Sequence, residues 1–377
     1  MPASISTNNN QGRLDYLDGI RGVGALVVFY YHLLVMFIGI PFPQYTALYH
    51  SVLLDGPLAV KVFFVISGMA LSAASLKNPD APILPSLAAR YFRLALPIFF
   101  TSLIAFALMG FGLMYNEEAA RTGISVDWLG SFYPMFPSIE GVLRFSFYEA
   151  LMDYNLKTSY NSSLWTIPFE FAGSLAIYLM LLVINDPKRR RLAAIVLFVA
   201  LYKNNTFIAC FFAGYLIADL NIYLAGRKWK GVNFAGIVLI VGASVLVSIF
   251  RPKTELYWAA IAILLVLGCT LSVTAKALLS SKIGKVLGKL SFPLYLSHIF
   301  VICSLTSFLY LELQKMGFGT KAAFLVNLTL SSICAFALAA ALVPMETLVV
   351  SLSKKIGKAI AAAGTKAWKT LRLPDPV

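Results

Sequence analysis

Charge is what this sequence has least of. Only 13% of its 377 residues are Asp, Glu, Lys or Arg, against 59% hydrophobic. A soluble domain of that length shows far more polar surface, so a soluble globular class is excluded. Acid is the scarcer sign: 17 Asp and Glu stand against 31 Lys and Arg, a formal net charge of +14. Such a balance can mark a nucleic-acid partner, but here the basic residues flank apolar runs, which reads as membrane topology. No nucleic-acid partner is expected. Cysteine occurs four times. Cys210, Cys269, Cys303 and Cys334 all lie in apolar runs without metal-ligand spacing. That argues against a metal site and disulfides and reads them as small buried hydrophobes. A P-loop, a nucleotide-binding glycine fingerprint and an internal repeat are also missing. The first apolar run is too long for a cleavable signal peptide and no small-residue cleavage site follows it.

What is present is apolar runs. The mean hydropathy is +0.79. Runs of this length cross a bilayer as helices, and they lack the alternation of barrel strands. The expected fold is an all-α polytopic membrane protein with about ten transmembrane helices. They are expected near 19–40, 54–75, 92–114, 163–184, 192–202, 206–225, 232–250, 256–275, 291–311 and 323–350. The run 192–202 is short, about 16 Å as a helix, and is alternatively the first half of a span broken at Lys203-Asn204-Asn205. Counting ten spans puts most of the basic residues, Lys188 to Arg191 among them, on one side, which places both termini in the cytoplasm. Residues 1–16 read as a disordered cytoplasmic tail, 17–350 as the membrane domain, and 351–377 as a basic amphipathic tail on the inner leaflet. The longest loop, 115–162, falls outside. It mixes carboxylates with aromatics such as Trp128, Phe132, Tyr133 and Tyr154. That mixture suits a sugar surface, and equally an interfacial aromatic belt.

Ionisable residues inside the spans carry the functional argument, because each costs about 2.5–3.5 kcal/mol to insert. The segment LDGIRGVGALVVFYYHLL carries Arg21 and His32 eleven residues apart. Three helical turns put them on one face, roughly 16 Å apart. Counted from the outer ends of their spans, His32, Lys61 and Glu170 share one depth, so they are expected to form one polar cluster. Lys61 and Glu170 alternatively neutralise each other as an ion pair. Arg21, Arg90 and Arg93 cluster at the cytoplasmic end, as a phosphate clamp or as topogenic charges. His298 is either a satisfied buried histidine or a catalytic one. Ser67 in FFVISG either permits close helix approach or offers a hydroxyl to the cavity.

Five segments together carry a resemblance. LDGIRGVGALVVFYYH, VFFVISG, RYFRLALP, SLWTIPFEF and LSFPLYLSH occur in this order. The chain resembles the acyltransferase-3 family of membrane O-acyltransferases, as a stand-alone acyltransferase domain. The resemblance implies transfer of an acyl group, acetyl above all, from cytoplasmic acyl-CoA. The acceptor is a hydroxyl of an extracytoplasmic glycan, lipid or small molecule. It implies a catalytic role for His32 and Glu170 and donor binding by Arg21, Arg90 and Arg93. Lys61, Ser67, Trp165, Tyr295 and His298 stand in the matching segments as supporting positions. Many members have an acidic or neutral residue where this chain has Lys61, which puts Glu170 as a catalytic partner in question. No permanently bound cofactor is implied; acyl-CoA is a co-substrate. The location is an integral membrane one, a bacterial inner membrane or a eukaryotic endomembrane or plasma membrane. The competing class is a proton- or ion-coupled transporter using His32, Lys61 and Glu170 as a relay.

Overall fold

The computed structural model describes residues 15–38, 51–78, 82–225, 230–250 and 254–371. Almost all of them are helical, and no strand occurs among them. In chain order the helices are α1 (Asp15–Tyr30), α2 (Gly56–Lys77), α3 (Leu84–Gly110), α4 (Asn116–Arg121), α5 (Val126–Leu129) and α6 (Ile139–Arg144). They continue with α7 (Ala150–Met152), α8 (Ile167–Val183), α9 (Pro187–Tyr202), α10 (Thr206–Leu224), α11 (Val232–Ile249) and α12 (Glu255–Leu271). The last are α13 (Val273–Leu279), α14 (Lys282–Val301), α15 (Ser307–Lys315) and α16 (Thr320–Leu371). Three wider, π-helical stretches interrupt this order: Tyr31–Ile38 continues α1, Phe145–Glu149 joins α6 to α7, and Ile302–Thr306 joins α14 to α15.

Among the described residues, eight helical stretches are long and apolar enough to cross a membrane. α12 adds a ninth only if its 93° bend into α13 is counted as one broken span. The chain is thus an integral, multi-pass α-helical protein. The expected short span 192–202 is α9, which has 16 residues and begins with Lys188 to Arg191. Its apolar part covers about 16 Å, too little to span about 30 Å of hydrocarbon alone. It is not half of a broken span: it folds back on α10, where Arg191 pairs with Asp219 at 2.6 Å. Arg190 is buried and donates to the carbonyls of Leu181 and Ile184, which closes the end of α8.

At the ends of the chain the structure revises one expectation and does not reach another. The basic tail is not a separate surface helix, because α16 runs unbroken from Thr320 to Leu371. It packs against α3 as far as Gly357, whose position leaves no room for a Cβ beside Pro85 and Ala89. Packing along α3 keeps the basic segment in line with the last span. The N-terminal tail falls outside the described residues up to position 14, as does His50.

The register of α1 against α14 positions everything that follows. The two helices make the most extensive contacts in the bundle, together with α2 against α10. A Cβ on Gly22 would lie 2.5 Å from Leu287 Cβ and 2.8 Å from Gly288 N. The α1 backbone at Gly22 therefore lies directly against the Leu287–Gly288 backbone of α14, the small-residue contact that membrane helices use. Ten residues further along each helix stand His32 and His298. Equal spacing means the helices run parallel, and the glycine crossing sets the two imidazoles side by side about 15 Å away.

Segment 115–162 does not stay at the surface. Tyr91, the eighth residue of α3, donates to the carbonyl of Phe147 at 2.7 Å. That point is about 28 Å down α3 from Gly110. Irregular backbone at such depth is tolerated only when protein surrounds it. Val142, Phe145, Ala150, Leu151, Tyr160 and Leu164 are indeed buried in one core with Leu94, Ala95, Ile98 and Phe300. Asn161 is fully buried and donates to the carbonyl of Leu296 at 2.7 Å, so the glycosylation-type triplet at 161–163 is closed off in the fold.

Candidate active site

His32 sits in the π-helical continuation of α1, a geometry common at functional sites. Its Nδ1 lies 2.9 Å from His298 Nε2. The rings meet edge to edge and nearly coplanar, with centroids 5.0 Å apart and planes 17° apart. Nδ1 of His298 faces the backbone oxygens of Leu294 and Tyr295, at 3.0 and 2.9 Å. A carbonyl only accepts, so that nitrogen carries the proton. Nε2 of neutral His298 is then an acceptor, and Nδ1–H of His32 donates to it. Nε2 of His32 is left with a bare lone pair. The fold thus presents an imidazole oriented as a base, held by a second imidazole rather than by a carboxylate.

Residues 115–133, at the start of the 115–162 segment, form a lid over His32. Trp128 stacks on it at 5.4 Å and 12°. Three ties hold Trp128 there. Ser125, in left-handed backbone at φ 48°, donates to the carbonyl of Met36. Buried Asn116 donates to the carbonyls of Leu129 and Phe132, each at 3.1 Å. The amide of Tyr115 donates to Cys303 O at 2.8 Å.

The three arginines also come together. Arg93 lies within electrostatic reach of both Arg21 and Arg90. Each is paired: Arg21 with Asp18 at 3.3 Å, Arg93 with Glu346 at 3.2 Å, and Arg90 with Glu170 in a close contact. Arg90 Nε further donates to Ser174 Oγ at 2.7 Å. Among the described residues, Nη1 of Arg93 is buried with no hydrogen-bond partner. This gives an electrically balanced cluster with a spare donor, a setting into which an anion can insert.

The two groups are joined by Tyr295. Its hydroxyl donates to Ser163 O at 2.7 Å and meets Thr166 Oγ1 at 2.8 Å, within electrostatic reach of Glu170. Its ring centroid is 6.4 Å from that of His298. Arg93, Arg90, Glu170, Tyr295, His298 and His32 thus follow one another as a polar line through the bundle.

The expected cluster of His32, Lys61 and Glu170 does not form. Lys61 is buried and its Nζ pairs with Glu255 at 2.6 Å, donates to Thr206 at 2.7 Å and lies over the Phe207 ring at 3.0 Å. It ties α2, α10 and α12 together and has no contact with Glu170. Glu170 is deeper than its position in the sequence suggests. The segment before α8 turns into the bundle, so α8 starts low and its carboxylate meets Arg90, six residues into α3. Trp165 stands with Phe169 and Phe207 rather than at the histidines, and is 41% exposed. Ser67 makes no side-chain hydrogen bond among the described residues. Its neighbour Gly68 serves close packing, since a Cβ there would lie 2.0 Å from Phe211 O. His298 is both a satisfied buried histidine and the partner of His32.

Sequence reasoning missed Glu346, Asp18 and Trp128 as parts of the site. Glu346 had a signal, a lone acid within the apolar run ALVPMETLVV. Trp128 had none beyond belonging to an aromatic loop. No group of three or more His, Cys, Asp or Glu that could hold a metal occurs among the described residues.

Comparison with known proteins adds a family. Residues 14–344 match the acyltransferase-3 model, described as an acyltransferase domain. The chain is similar to O-acetyltransferase PaAT-1 of Phomopsis amygdali, 29% identical over 249 residues, which is 55% of this chain and 49% of that protein. It therefore spans about half the length of this curated relative. No solved structure matches it.

Proposed function

The chain belongs to the acyltransferase-3 family, and from that premise we propose that it moves an acetyl group from cytoplasmic acetyl-CoA to a hydroxyl beyond the membrane. The acceptor is a glycan, a lipid or a small molecule. The observation that carries this reading is the tautomer of the histidine pair: a bare His32 Nε2 at one end of a polar line whose other end is a cluster of arginines.

The donor enters at the arginines. Its phosphates displace Asp18 and Glu346 from Arg21 and Arg93 and take up the free Nη1 of Arg93. The pantetheine arm follows the line past Tyr295, bringing the thioester to His32. The acceptor arrives under the lid, beside Trp128. His32 Nε2 takes the hydroxyl proton as the oxygen bonds to the acyl carbon. The C–S bond then breaks, the carbonyl re-forms, and the departing thiolate takes the proton from His32. During the step His32 is an imidazolium, and its Nδ1–H remains bonded to His298 Nε2. Glu170 acts on Arg90, holding the donor end in shape, and not on His32. The reading as a transporter loses its support, because its relay of His32, Lys61 and Glu170 is split among three sets of partners.

His32→Ala tests the reading in purified protein. Acetyl-CoA binding stays at the wild-type level while acetyl transfer, read by thiol release and by label in the acceptor, is lost. Transfer at a near wild-type rate in that variant rules out His32 as the base.

A further inference from the structure

Tyr133 carries two local costs at once. Its φ is +58°, in the left-handed region that aromatic residues avoid. Its Oη is buried and has no hydrogen-bond partner among the described residues. Each feature opposes the fold locally. The residue sits in the lid five positions after Trp128, the residue that covers His32. Its hydroxyl is within electrostatic reach of Cys303 and Tyr154. Cys303 follows His298 by five residues on the continuation of α14. Tyr154 is within the same reach of Tyr295, which lies against His298. The Tyr133 ring packs with Trp128, Ile299 and Cys303 in one buried cluster, which sets it beside the residues that flank His32 and His298.

The hydroxyls beside it are committed. Tyr154 Oη donates to Ser162 O at 3.0 Å and Tyr295 Oη to Ser163 O at 2.7 Å. Tyr133 has a proton with nowhere to go. The proposed reaction, on which this inference rests, lacks such a donor. As the acceptor oxygen bonds to the acyl carbon, negative charge develops on the acyl oxygen. His32 cannot neutralise it: Nδ1–H points to His298 and Nε2 must be bare to take the acceptor proton.

We propose that Tyr133 is a further catalytic residue, whose hydroxyl donates a hydrogen bond to the acyl oxygen in the tetrahedral intermediate. The acceptor O–C bond forms, the acceptor proton passes to His32, and the charge rests on the acyl oxygen under Tyr133. The carbonyl re-forms as the C–S bond breaks. Tyr133 keeps its own proton throughout, and burial supports this by pushing its hydroxyl pKa well above the usual tyrosine value.

The test uses purified protein with acetyl-CoA as donor and octyl β-glucoside as a sugar hydroxyl on an apolar chain, read by thiol release and product mass. Tyr133→Phe lowers kcat by about 10²–10³-fold, the size seen when one oxyanion donor is removed. The KM for acetyl-CoA stays within about threefold, and the thermal midpoint holds or rises, because an unsatisfied hydroxyl has gone. Tyr133→Gly, which relieves the backbone but empties the space of the packed ring, is as slow and has a lower thermal midpoint than Tyr133→Phe. A kcat for Tyr133→Phe within threefold of wild type overturns the proposal, and so does a loss confined to the acceptor KM. His32→Ala separates the two failures. If wild type is no faster than His32→Ala, the reaction itself is misread. If His32→Ala is dead and Tyr133→Phe is normal, only the role of Tyr133 falls.

Discussion

The side chain at position 298 decides which nitrogen of His32 is basic. Remove it, and Nδ1–H of His32 loses the only acceptor it has among the described residues, so the ring is free to turn or change tautomer. Partners that orient a functional histidine are worth about 10–100-fold. His298→Ala should therefore lower kcat by about that factor while acetyl-CoA binding, followed by calorimetry, is unchanged. His298→Gln retains an acceptor oxygen and should recover part of the loss. An unimpaired His298→Ala enzyme would remove the tautomer from the mechanism. Tyr154 belongs to the same scale: burial pushes its hydroxyl up to about 12, so it stays a proton donor through any usable assay range. The pH dependence of turnover then reports on the histidine pair, as an ascending limb for loss of one proton from His32.

Among the elements, the contact that matters is α1 against α14. Gly22 and Gly288 let the backbones touch, and equal ten-residue steps carry that contact up to the histidine pair. A side chain at Gly22 must push the helices apart and shift both imidazoles. Gly22→Val should destabilise by about 1–3 kcal/mol, the usual cost of overpacking. It should also reduce transfer beyond what the folded fraction explains. Gly24→Ala is the control: its Cβ meets only the tip of the Phe63 ring, at 3.1 Å, and a ring can move by a few tenths of an ångström. Thermal midpoints in detergent, set beside initial rates, separate the two. Equal rates for Gly22→Val and wild type would mean that the crossing does not set the register. The folded-in segment 139–166 works by the same logic. Asn161 and Ser163 reach the carbonyls of Leu296 and Tyr295 only because the chain turns back into the bundle. This fixes the stretch of α14 between the arginines and His298.

At the scale of the whole molecule the arginine cluster and the histidine pair are opposite ends of one path. If the basic loops face the cytoplasm, donor and acceptor approach from different sides. In sealed vesicles with one orientation, acetyl transfer should occur only with acetyl-CoA on the side bearing Arg21, Arg90 and Arg93. Vesicles whose orientation is scored by protease access measure this directly. Equal rates with donor on either side would break the link between the cluster and donor entry. Each arginine has a carboxylate partner, so removing Arg90 also strands the part-buried Glu170. Donor binding is better probed at Arg93, whose pair with Glu346 is longer and more exposed and whose Nη1 has no hydrogen-bond partner among the described residues.

Composition by itself determined the class: with so little charge and such long apolar runs, a helical membrane protein is the one arrangement that satisfies every backbone group. Helical period alone put Arg21 and His32 on one face, and the structure pairs Arg21 with Asp18 and His32 with His298. Depth was the weak inference, because it assumes that each span begins where its apolar run begins. The chain before α8 plunges inward, and that displaced Glu170 from the histidine to Arg90. Partner choice for Lys61, Glu170 and His32 was settled by tertiary structure alone. Residues such as Glu255, Glu346 and His298 lie far away along the chain, and only packed helices bring a charge within the few ångströms at which it finds its counterpart.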